Sequence, residues 1–246
     1  MLDFLKNHPF AVNAFFEKSI VLTFAVPKEE LQLFLPEFLE LNTFKGTWAF
    51  IAVAMVQTTG LRPAGFPKLL GNDFFLIGYR IFVTYKNNAG KKLRGLYILK
   101  SETDKKKMQI LGNIFTHYKY TTTDITQTVS FDRTTIESKK SKFKIEITES
   151  DADIALPKNS PFSDWKEARR FAGPLPFTFT THSEKKNILI IEGIRENWIP
   201  QPLDVTYYEF AFLNALPFKN IVLANAFIIK NIPYHWKKGR KETWKP

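Results

Sequence analysis

The sequence predicts an α+β domain dominated by an antiparallel β-sheet or barrel. Three observations carry this. Most of the chain falls into runs rich in β-branched and aromatic residues, the intervening turns are short and polar, and helical periodicity is confined to a few segments. With 246 residues, 44% of them hydrophobic and 15% aromatic, the composition is that of a globular chain with enough apolar surface to build one core. No repeat, low-complexity tract or linker divides it, so residues 1–246 are expected to form one domain with a basic tail over about 237–246.

The strand-like runs are Ser19 to Val26, Thr47 to Gln57, Phe74 to Lys86, Leu93 to Lys100, Tyr118 to Ile125, Thr126 to Arg133, Lys142 to Thr148, Phe177 to Thr181, Asn187 to Glu192 and Asn220 to Asn231. Asn87-Asn88-Ala89-Gly90, Ser138-Lys139-Lys140-Ser141 and His182-Ser183-Glu184-Lys185-Lys186 have the chemistry of hairpin loops, which makes consecutive strands antiparallel neighbours rather than parts of a βαβ series. Pro27-Lys28-Glu29-Glu30-Leu31 reads as a proline-initiated helix stopped by Pro36. From Asp104 to Thr116 a capping-type residue precedes Met108, Leu111, Ile114 and Phe115 at helical spacing, which predicts one buried face. Further helices are expected over Asp164 to Phe171 and Tyr207 to Ala215, each followed by a Gly or Pro stop.

Composition also excludes chemistry. Without cysteine there is no zinc ribbon, thiol nucleophile or iron–sulfur cluster, and the chain suits a reducing compartment. His8, His117, His182 and His235 are too dispersed for local metal-ligand spacing, and G-x-S-x-G, P-loop and G-x-G-x-x-G patterns are absent. No metal or other cofactor is therefore expected. The run Phe10 to Phe16 is broken by Glu17 and Lys18 and lacks a cleavage site, and no stretch reaches the roughly 18 apolar residues of a membrane span. A cytoplasmic protein without membrane attachment is the expectation.

The net charge of +11 concentrates between Lys86 and Lys107 and in Lys237-Lys238-Gly239-Arg240-Lys241. These are turns and termini, where solvated lysines sit, and no nucleic-acid fold signature surrounds them, so nucleic acid is not the expected partner. Glu192, Arg195 and Glu196 read as a surface ion pair at a strand end.

Lys119 lies where an aromatic-rich stretch turns into a strand, Phe115-Thr116-His117-Tyr118-Lys119-Tyr120. On an alternating strand it would face solvent. Inside a barrel lined by Phe and Tyr, its ammonium would be disfavoured, and a neutral amine is a nucleophile toward ketones.

Three stretches, taken together, resemble the acetoacetate decarboxylase-like superfamily, especially its large branch known only as a domain of unknown function. They are Val26-Pro27-Lys28-Glu29-Glu30-Leu31 through Leu35-Pro36-Glu37-Phe38-Leu39-Glu40-Leu41, then Gly112 to Tyr120, and Leu213-Asn214-Ala215-Leu216-Pro217-Phe218-Lys219-Asn220-Ile221-Val222. The resemblance spans about residues 16 to 235. It implies a closed or cone-shaped antiparallel β-barrel with peripheral helices and a small internal cavity for a keto acid or carbonyl metabolite. It places the family's catalytic amine at Lys119, a candidate for a Schiff-base carbon–carbon lyase or dehydratase.

Several positions depart from the decarboxylases. The second lysine is Tyr120, the preceding proline is Tyr118, the two cavity glutamates fall at Ile51 and near Phe75 or Leu76, and the early arginine falls near Glu17 or Lys18. Without acids to protonate an enamine or orient a carboxylate, true acetoacetate decarboxylase activity is not expected. Arg80, Tyr97, His117 and Tyr120 are the candidate substrate-binding groups. An arginine within an apolar strand must be paired, for instance with Glu192, or bind an anion. A non-catalytic ligand-binding protein on the same fold is the alternative. The run from Arg169 to Phe179 reads as a structural corner or as part of a cavity mouth, with Trp198-Ile199-Pro200 in a similar place. Superfamily relatives often assemble, so the resemblance leaves a homo-oligomer open.

Overall fold

A computed structural model describes residues 4–149, 154–182, 187–196 and 198–244. The expected hairpin loop at 183–186 lies outside the described residues. The strands are β1 (Val12–Pro27), β2 (Glu40–Leu41), β3 (Trp48–Pro63), β4 (Asn72–Lys86), β5 (Lys92–Thr103), β6 (Tyr120–Thr122), β7 (Thr126–Ser130) and β8 (Arg133–Ser138). They continue with β9 (Phe143–Thr148), β10 (Phe177–His182), β11 (Asn187–Arg195), β12 (Gln201–Pro202), β13 (Asp204–Phe210), β14 (Val222–Trp236) and β15 (Arg240–Thr243). The α-helices are α1 (Lys28–Gln32), α2 (Lys106–Phe115), α3 (Trp165–Ala172) and α4 (Ala211–Asn214).

Seven strands close a ring in the order β14, β1, β3, β4, β5, β10, β11 and back to β14, where Gly193–Arg195 pair with Trp236–Tyr234. Most pairings are antiparallel, as the hairpin loops imply, but β5 runs parallel to both β10 and β6. The β5–β10 junction depends on Gly95, where a Cβ would lie 2.4 Å from the Phe177 carbonyl oxygen. A separate four-stranded antiparallel sheet, β13-β9-β8-β7, lies against the ring. Its apolar side chains Ile136, Phe143, Ile145, Ile147 and Phe210 share a core with Ile20, Leu22 and Phe24 of β1, Ile51, Val53 and Met55 of β3, and Ile77, Tyr79 and Ile81 of β4. Period-two alternation then directs the other residues of these strands into the ring.

Local departures from the sequence expectations have physical causes. Residues 204–210 form β13 rather than the start of a helix, because the β-prone Val205, Tyr207 and Tyr208 pair with β9, leaving only α4 as helix. Asp104 does not cap α2; its carboxylate accepts a 2.7 Å bond from the Phe75 amide. Ile114 is exposed, and the inward face of α2 runs through Met108, Leu111, Gly112 and Phe115. Within the basic tail, Arg240–Thr243 form β15 against β11, and Lys237 is paired to Glu192 at 3.0 Å.

Candidate functional site

The ring encloses a cavity of about 120 Å³. Its volume originates in small residues on the inward faces of two neighbouring strands: Ala52 lies opposite Arg80 and Ala54 opposite Gly78, where larger side chains would fill the space. Helix α3 packs Ala168 and Ala172 against Phe50 and Phe82 at one end, and the turn Gly173-Pro174-Leu175 continues into the wall. Asp164 caps α3 by accepting from the Glu167 amide at 2.7 Å, which holds this plug in place. The run from Arg169 to Phe179 is thus both a corner and a cavity wall, and Trp198 joins it there.

Arg80 projects into this cavity from the middle of β4. A Cβ on Gly78 would lie 3.0 Å from its Nε and 3.1 Å from its Nη2, so the guanidinium lies back over Gly78 on the inward face. Among the described residues Arg80 makes no ion pair or hydrogen bond, and its Nε is buried without a partner. Glu192, the acid that could have neutralised it, is engaged by Lys237. No Asp, Glu or Lys lines the cavity among the described residues.

Two phenols face the guanidinium. Tyr118 Oη lies 2.8 Å from Thr178 Oγ1. Burial pushes the Tyr118 hydroxyl up to about 12, against the Thr178 bond and nearby Arg80, which both pull it down. Burial also raises Tyr120 far above the ordinary phenol range, reinforced by Tyr118 and opposed by Arg80. Both are neutral donors at physiological pH. Their position is set by a backbone clamp: Asn113 Nδ2 donates to the Tyr120 carbonyl at 2.9 Å, and the Tyr120 amide donates to Asn113 Oδ1 at 2.7 Å. Between them Lys119 has a left-handed backbone with φ 52°. This turns both tyrosines inward and leaves Lys119 exposed, outside the cavity wall.

Of the five residues singled out in the sequence, the structure thus brings Arg80 and Tyr120 together. Tyr97 alternates with Leu96 and Ile98 on β5 and packs on the outer core, not in the ring. His117 is half-buried and does not line the cavity. Tyr118, Thr178 and Arg195 were not singled out as binding groups. Arg195 Nη1 donates to Tyr234 Oη at 3.2 Å, and its guanidinium lies 5.5 Å from the Trp198 ring centroid. Arg195 and Tyr234 also border a groove of about 730 Å³ whose described wall includes Arg62, Lys68, His235 and Glu196, so cationic side chains outnumber acidic ones along it. Among the described residues no group of three or more His, Asp or Glu side chains could hold a metal ion, and no helix is long and apolar enough to cross a membrane.

The model of the DUF2071 family, described as an uncharacterized conserved protein, matches residues 14–227, from β1 into β14. The chain belongs to the DUF2071 family. No curated protein matches its sequence. Among solved structures, this DUF2071 chain is similar to acetoacetate decarboxylase from Legionella pneumophila subsp. pneumophila str. Philadelphia 1, with a TM-score of 0.63 at 12% identity over 95% of this chain and 88% of that one. It is also similar to the enduracididine biosynthesis enzyme MppR complexed with pyruvate, with a TM-score of 0.58 at 11% identity over 96% and 92% of the two chains. A third similar structure is an acetoacetate decarboxylase-like enzyme from Sphingomonas wittichii RW1, with a TM-score of 0.56 at 12% identity over 97% and 94%. The fold is therefore that of the acetoacetate decarboxylase-like superfamily, in accord with the resemblance in the sequence.

Proposed function

We propose that the ring cavity binds a small carboxylate metabolite, such as a keto acid, with Arg80 as the anion clamp and Tyr118 and Tyr120 donating to its carbonyl or hydroxyl oxygen. The observation that carries this reading is the unpaired Arg80 guanidinium in a cavity whose described wall holds no acid. Arg80 is half-buried with its Nε shut away from water and unpaired, and a planar carboxylate accepting two N–H bonds would satisfy it. The structural neighbour complexed with pyruvate supports a ligand of this class.

Covalent catalysis through Lys119 finds less support. Imine chemistry at neutral pH needs a desolvated or otherwise activated amine within reach of the carbonyl, whereas Lys119 is exposed and outside the wall. The binding reading is therefore preferred over the Schiff-base lyase.

The test is isothermal titration with pyruvate and related acids, together with borohydride trapping read by intact mass. In Arg80→Met the affinity should fall at least about tenfold, while the melting temperature stays level because Arg80 makes no ion pair or hydrogen bond among the described residues. Lys119→Ala should bind as wild type does, and no borohydride adduct should form. Wild-type affinity in Arg80→Met would overturn the clamp. An adduct present in wild type and absent in Lys119→Ala would restore the lyase.

A further inference from the structure

A second pocket, of about 150 Å³, abuts the ring cavity. Its walls include Phe10, Leu61, Phe74, Met108, Leu111 and Phe115, contributed by the segment before β1, by β3 and β4, and by the inward face of α2. It shares the side chains of Phe16, Leu76, Tyr118, Tyr120 and Trp236 with the ring cavity, so the two spaces stand on either side of one thin partition. Tyr120 in that partition lies flat against α2 because residue 112 is glycine; a Cβ there would fall 2.3 Å from the ring.

The order of residues along β4 aligns the two spaces. Phe74 faces the second pocket, Leu76 the partition, and Gly78 and Arg80 the ring cavity. Because Arg80 folds back over Gly78, its guanidinium points toward the partition rather than away from it, with Leu76 one inward position beyond, about 7 Å along the strand. The second pocket also holds two buried polar atoms without partners, His8 Nδ1 and Thr58 Oγ1, on residues that are only 7% and 1% exposed. Unpartnered polar atoms in a space lined chiefly by apolar side chains mark room that packing does not fill. A predominantly apolar pocket of about 150 Å³ is large enough for a benzene-sized group.

We infer that the ligand is an amphipathic carboxylate: its head lies on Arg80, and its benzene-sized apolar end occupies the pocket beneath α2, joined past Leu76 and Tyr120 by a linker of a few bonds. This rests on the Arg80 reading above and adds the class of acid that the protein selects. A three-carbon acid would fill only the first space.

The test is titration of propionate and a phenylalkanoate series from phenylacetate to phenylvalerate, with the corresponding phenylalkanols as uncharged controls. At one or more linker lengths the phenyl acid should bind at least about tenfold more tightly than propionate. Leu111→Trp and Thr58→Met, which fill the second pocket from the helix and from the sheet, should each erase that gain and leave propionate binding unchanged. Thermal melts confirm that both variants fold, and two independent variants guard against one failing to do so. If propionate binds as tightly as every phenyl acid, or the phenyl gain survives both filling variants, the inference is overturned while the Arg80 site stands. If no acid binds, or phenylalkanols bind as well as the acids, the Arg80 reading fails and the inference with it.

Discussion

Arg80 and Gly78 form one functional unit, because the space over the glycine is where the guanidinium rests. Giving residue 78 a Cβ places it 3.0 Å from Arg80 Nε, tighter than an ordinary contact, so the guanidinium must move by a few tenths of an ångström. Gly78→Ala is therefore expected to weaken carboxylate binding about fivefold or more, although alanine suits a strand interior better than glycine by roughly 0.5–1 kcal/mol. Calorimetric titration and urea unfolding on the same variant separate the two effects. Unchanged affinity would mean that the ligand meets Arg80 in another rotamer. Single residues were unevenly legible in the sequence. Arg80 stood out as a charge in an apolar strand, but Arg195, flanked by Glu192 and Glu196, looked like surface ion pairing. Its bond to Tyr234 depends on the long-range pairing of β11 with β14, which no local pattern encodes. Lys119 could be read as inward or outward from alternation alone; the left-handed φ that breaks the alternation was invisible.

The elements around the second pocket carry a pH dependence. His8 links three parts of the chain: its amide donates to the Phe115 carbonyl at the end of α2 at 3.0 Å, and its carbonyl accepts from the Gly239 amide at 2.8 Å. Its ring is buried beneath α2, and this burial lowers its pKa from 6.5 to about 4. A base whose folded pKa is depressed stabilises the fold fully above the unfolded value and loses that contribution as pH falls from about 6.5 to about 4, because the unfolded chain binds the proton first. The unfolding free energy should therefore drop over this window by up to about 3 kcal/mol from His8. His8→Asn, which tolerates the left-handed backbone at this position, should flatten that part of the profile. An identical pH profile in the variant would show that other groups set the acid sensitivity. Long strands with strict alternation and the proline-started α1 were readable at this scale. The β8 strand and the true start of α4 were not, since β13 is held as a strand by pairing with β9, more than fifty residues away in sequence.

At the scale of the molecule, the sequence predicted a mainly antiparallel fold and its superfamily, but not the division into a seven-stranded ring and a four-stranded sheet. Both sheets draw on the same β-branched and aromatic vocabulary, and only the pairing register assigns a strand to one or the other. The net charge of +11 likewise gains meaning from its placement. Several surface lysines are locally matched, as Lys92 is by Glu40 at 3.3 Å. Among the described residues, the groove beside the cavity instead combines Arg62, Lys68 and Arg195 with one acid, Glu196. A concave, predominantly positive groove next to a binding cavity raises the local concentration of small anions and so their rate of capture, an effect that salt screens. Carboxylate association should accordingly slow about threefold or more between roughly 0.01 and 0.5 M salt, with dissociation nearly constant, in stopped-flow measurements of binding. Lys68→Gln, an exposed change at the groove with no place in the cavity wall, should reduce both the association rate and its salt slope. A salt-independent association rate would mean that the ligand enters by another route, past the plug formed by α3, and would shift the search for the cavity mouth to Gly173-Pro174-Leu175.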